Sequence, residues 1–132
     1  MKSGFLTNLC YHVSDHSDLV WILDHPLVYY SEILKQFVYI PVGFNTDGSS
    51  IPRVPLIYER FGGLGPREGT LHDYLFRADS KPCVSFMEAN RVFKEAMDSR
   101  NKPFDVRWGM FIGVCVGGWG SYHKRSVRAE LF

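Results

Sequence analysis

The sequence predicts an α+β domain, with a small N-terminal antiparallel sheet over roughly residues 5 to 45 and three or four packed helices after residue 53. Three observations predict it. The first forty or so residues are dense in β-branched and aromatic side chains, punctuated by Pro26 and Pro41. After residue 53 the apolar residues recur with the period of a helix. Strand signals come first and helix signals afterwards, with no internal repeat, linker or low-complexity tract, so all 132 residues read as one domain.

Within the strand region, DLVWILDHPLVYY divides at Pro26, which ends one strand near Leu23 and lets another begin near Leu27. KQFVYIPVGF supplies a further strand, and Pro41 marks its edge or its end because proline cannot donate to a ladder. In the second half, VPLIYERFGG reads as a short helix stopped by Gly62 and Gly63. PREGTLHDYLFRA reads as a helix with Pro66 at its first position, where a missing N–H does no harm. SFMEANRVFKEAMDSR opens on a Ser85–Glu88 capping box and puts Phe86, Ala89, Val92, Phe93, Ala96 and Met97 on one stripe. NKP at 101–103 breaks that helix, and FDVRWGMFIGVCVGGWG follows as another.

Composition excludes several function classes. A net charge of +1 nominates no polyanionic partner, and the one basic cluster, HKRSVR at 123–128, reads as a solvated tail rather than a nucleic-acid footprint. Cys10, Cys83 and Cys115 are odd in number and widely spaced, which fits neither a disulfide framework nor a zinc knuckle and suits a reducing cytosol. MKSGFLTNLCYHVSD lacks the continuous apolar run of a signal peptide. WGMFIGVCVGGWG is short of the ~20 residues a membrane span needs, so it reads as a buried helix whose Gly109, Gly113 and Gly117 allow close packing.

Two polar stretches stand out. GFNTDGSSIPR, at 43–53, gathers Thr46, Asp47, Ser49, Ser50, Pro52 and Arg53 at a strand end. It reads either as a turn leading into a helix capped by Ser49 or Ser50, or as one half of a polar site. TLHDYLFR, at 70–77, sets His72 and Asp73 among Leu71, Tyr74 and Leu75, which must face the core, so one of the two polar residues is drawn inward. A histidine beside an aspartate serves as metal ligand, general base or hydrogen-bonded structural pair.

VYIPVGFNTDGSSIPR, LHDYLFR and ANRVFKEAM, in this order across residues 38 to 97, resemble the successive blocks of the domain of unknown function family 1353, found in tailed phages, prophages and bacteria. Ser49 stands where the family usually has alanine. The resemblance implies a phage or prophage origin and a single polar site built from Thr46, Asp47, Ser50, Pro52, His72 and Asp73. It implies no particular reaction.

Two readings follow. In the first the chain is a small hydrolase with Asp47, Ser50, His72 and Asp73 as catalytic residues. Either Asp47, His72 and Asp73 hold a divalent metal ion that activates water, or Ser50 attacks with His72 as base and an aspartate orienting it. Catalytic zinc takes three protein ligands, so the metal version calls on His12, His16, His25 or His123, and the serine version lacks a GxSxG elbow. In the second reading the same residues form a structural hydrogen-bond network in a non-enzymatic virion-assembly or host-interaction protein, whose partner is a phage or host protein in the host cytoplasm or the virion. A pocket opening onto His72 and Asp47 favours chemistry, and burial of His72 under Tyr74 and Trp108 favours the network. In both, the Asp47–Ser50 loop and His72 are expected to be neighbours.

Overall fold

The computed structural model describes residues 1–47, 66–117, 120 and 122–129. Six strands among the described residues come first: β1 (Gly4–Phe5), β2 (Tyr11–Ser14), β3 (Ser17–Leu23), β4 (Leu27–Ser31), β5 (Gln36–Ile40) and β6 (Asn45–Thr46). Three helices among the described residues follow: α1 (Pro66–Phe76), α2 (Phe86–Ser99) and α3 (Phe104–Gly117). The expected α+β order holds. The helix expected at 54–63 and the serines at 49 and 50 lie outside the described residues.

The strands make two antiparallel sheets of three, ordered β1-β4-β5 and β2-β3-β6, rather than the one small sheet expected. The division falls at Asp24, His25 and Pro26. Pro26 has no N–H for a ladder, and Thr7 works around it: its hydroxyl donates to the Pro26 carbonyl (3.2 Å) and accepts from the Val28 N–H (2.9 Å). β4 is thereby drawn to β1, with Gly4 opposite Tyr30 and Phe5 opposite Tyr29. Period-two alternation decides which side each strand buries. Leu27, Tyr29, Val38 and Ile40 are fully buried, while Phe37 and Tyr39 point outward from β5.

α2 begins as its sequence dictates. The Ser85 hydroxyl accepts from the Glu88 N–H and the Glu88 carboxylate accepts from the Ser85 N–H, closing the capping box. Its apolar stripe meets the sheet and α1 through Ala89, Val92 and Ala96, and meets α3 through Phe93 and Met97. The Tyr29 hydroxyl and the Ile33 N–H both donate to Glu95, at 2.8 and 2.9 Å, tying the β4–β5 hairpin to α2.

Two expectations are corrected. α3 is an outer helix, not a buried one: Val106, Met110 and Val114 pack on Phe93 and Met97, while Phe104, Trp108, Ile112 and Val116 on the far side are exposed. A helix that is apolar all round does not say which face meets the protein, and the glycine row is only partly covered. The 123–128 segment is not a free tail. The Phe76 carbonyl accepts from the His123 N–H (2.7 Å), the Arg125 carbonyl from the Ala78 N–H (2.8 Å) and the Asp79 carboxylate from the Val127 N–H (2.6 Å). This strap satisfies groups just past the end of α1 that no further helical turn is there to meet.

Candidate functional site

α1 carries the site, and its burial is unusual for its composition. Every residue from Glu68 to Arg77 is buried, although Glu68, Thr70, His72, Asp73 and Arg77 are polar or charged. Such groups are tolerated inside a protein only when hydrogen-bonded. Here each reaches a different neighbour, and helical spacing sorts the neighbours into two layers. Thr70, Asp73 and Arg77, at i, i+3 and i+7, serve the sheet containing β3 and β6, while Glu68 and His72, at i and i+4, serve α2 and its end.

On the helix side, His72 is fully buried, with its ring centroid 4.1 Å from that of Phe76 and 4.9 Å from that of Phe93. Its Nε2 donates to Asn90 Oδ1 at 2.8 Å, so the neutral ring carries its proton on Nε2. The Asn90 amide in turn faces Cys115 Sγ at 3.8 Å. Burial pushes the imidazole down to about 4, with the bond to Asn90 opposing part of that shift, so His72 is uncharged at neutral pH. One turn earlier, Arg100 Nη1 lies 3.3 Å from both oxygens of the buried Glu68 carboxylate and donates to Oε2, leaving Oε1 without a hydrogen bond.

On the sheet side, Trp21 Nε1 donates to the Thr70 hydroxyl at 3.3 Å, and the Thr46 hydroxyl donates to the Asp73 carboxylate. Arg77 sends Nη2 to the Asn45 carbonyl and Nη1 to the Ser126 carbonyl, each at 3.0 Å, with its guanidinium 4.9 Å from the centre of the Phe44 ring. Burial pulls Arg77 below its ordinary value, and the nearby Asp73 carboxylate works against that shift. Asp47, at the end of the strand, is partly exposed and lies 3.8 Å from Arg125.

Both His72 and Asp73 are therefore drawn inward, but toward different partners. His72 lies beneath Phe76 and Phe93, not beneath the expected Tyr74 and Trp108. Tyr74 packs edge-on against Phe44, and Trp108 sits on the outer helix beneath Lys94. Among the described residues no three His, Cys, Asp or Glu side chains gather in a way that could hold a metal ion, and no helix is long and apolar enough to cross a membrane. Ser50 and Pro52 lie outside the described residues, and so does the expected proximity of the Asp47–Ser50 loop to His72.

Sequence reasoning missed Asn90, Arg77, Thr70 and Glu68. Asn90 had a readable signal: it stands four residues after Phe86 and three before Phe93, a polar residue on an apolar stripe. Arg77 had a weaker one, four residues after Asp73 on the same face.

Compared with known families, the chain matches the model of a protein of unknown function, DUF1353, over residues 21–114. No curated protein and no solved structure gives a match.

Proposed function

We propose, from the premise that this chain belongs to the DUF1353 family of proteins of unknown function, that it is a non-enzymatic assembly or interaction protein whose polar residues lock its fold. The observation that carries this reading is the state of His72. A general base must come within about 3 Å of the proton it removes and works best with a pKa near the working pH. His72 has no exposed surface, is enclosed by Phe76, Phe93 and Asn90, and is held down to about 4. A buried side chain bonded in this way specifies how α1 sits on α2. The resemblance running from residue 38 to 97 supports a phage or prophage setting, with a virion or host protein as partner.

The deciding experiment is a thermal melt of His72→Ala beside the parent protein near pH 7. A lock leaves Asn90 Oδ1 buried without its donor, which costs about 1–3 kcal/mol and lowers the melting temperature by several degrees. An unchanged melt would retire the lock. The hydrolase reading keeps one support, the partly exposed Asp47 one residue from the Thr46 that holds Asp73. A stoichiometric divalent ion in the purified protein, lost in Asp47→Asn, would favour that reading.

A further inference from the structure

α3 presents a row of large apolar side chains to solvent. Phe104, Trp108, Ile112 and Val116 follow one another at four-residue intervals, so they form a single ridge along the helix, with exposures of 68%, 41%, 56% and 75%. With side chains of about 150–250 Å² each, the ridge leaves roughly 400 Å² of apolar surface open, the size of patch that on a monomer is often functional. It faces directly away from Val106, Met110 and Val114, which hold the helix on α2. Exposure on this side adds nothing to the packing of the domain.

We propose that this ridge is a self-association surface, on which α3 of a second copy of the chain packs. Immediately beside the ridge, one position further along, runs the parallel row Gly109, Gly113 and Gly117, which carries no side chains and is at least partly open to solvent. A four-residue ridge flanked by a four-residue channel is self-complementary under a two-fold axis. The ridge of each copy enters the channel of the other, as in helix pairs whose i±4 rows interdigitate.

The area fits a second copy as well. The ridge supplies about half of the ~800 Å² that each partner brings to a standard interface, and the channel and the ridge's flanks supply further surface. The chemistry fits a lipid surface less well. Interfacial helices carry rows of lysine and arginine beside the apolar face, whereas here the basic groups beside the ridge are Lys94, over the Trp108 ring at 4.6 Å, and Arg107, both engaged by Asp98 at 3.1 and 2.9 Å, and Asp105 lies on the exposed side.

The test is sedimentation of the full chain across the micromolar range, with Ile112→Glu and Val116→Glu as ridge variants. Val42→Glu, at an exposed apolar residue beyond β5, is the control. The expected result is a mass rising from 15.2 kDa toward twice that value for the parent and the control, and a monomer for both ridge variants. All four proteins should share one far-UV spectrum. A monomer at every concentration overturns the proposal, and so does a dimer that survives both ridge substitutions. Flotation of the parent chain with phosphatidylcholine/phosphatidylserine vesicles, lost in Ile112→Glu, would assign the ridge to a membrane and overturn it too.

Discussion

His72 and Asp73 are adjacent in the chain, yet their side chains bond to different layers, His72 to Asn90 on α2 and Asp73 to Thr46 on β6. A helix turns about 100° per residue, so two neighbouring polar positions are enough to fasten one helix on two sides. The dipeptide brackets the helical and sheet layers from one place on α1.

If the bracket is structural, each arm should be measurable alone. Asn90→Ala strands the buried Nε2 donor of His72 and should cost about 1–3 kcal/mol, seen as a drop of several degrees in the melting temperature. Asn90→Gln, which keeps the amide but not its position, should recover little of that.

Acid should weaken the helix-side arm. His72 stands at about 4 in the folded chain against 6.5 when unfolded, so between those values the unfolded chain binds a proton that the folded chain refuses. The contribution is fully present above about pH 6.5, fades as the pH falls, and is gone below about pH 4. At 1.36 kcal/mol per unit, moving from pH 7 to 4.5 should remove roughly 2 kcal/mol through this group. His72→Gln, which titrates nowhere in that range, should give a correspondingly flatter profile in urea denaturation.

The sheet-side arm is best tested by Thr46→Val, which keeps the shape and removes the hydroxyl that donates to Asp73. A buried carboxylate losing a charge-assisted bond should destabilise the domain by about 1.5–3 kcal/mol, read from the urea midpoint at unchanged slope.

Arg77→Lys should be far from conservative. The guanidinium reaches two carbonyls, Asn45 and Ser126, in one planar fork, and an ammonium on a flexible stem cannot hold both. The expected outcome is a loss of about 1–3 kcal/mol. It should be accompanied by faster proteolysis near residue 126, where the strap would come loose.

Much of the architecture was legible because local chemistry governs it. Pro26 and Pro41 set strand ends through their missing N–H, Pro66 opens α1, and Ser85 with Glu88 fixes the start of α2. The failures came where tertiary context decides. Nothing local tells α3 that its Val106 face will be covered and its Ile112 face left bare. Nor does a basic composition at 123–128 reveal that the backbone there is bound to the end of α1. For the candidate site, His72 and Asp73 could be found from their apolar setting, whereas their partners Asn90 and Thr46, 18 and 27 residues away, are fixed only by how the layers meet.

The all-round burial of α1 fixes its length as well as its residues. Deleting one residue between Glu68 and His72 would put Asp73 in the place of His72, against Phe93 and Asn90, and Tyr74 in the place of Asp73, against the Thr46 hydroxyl, with Arg77 where Phe76 had been. An added residue would push the error the other way. In a lineage of such genes, this helix should admit no insertions or deletions, and length changes should collect in the turns, such as the one between β2 and β3.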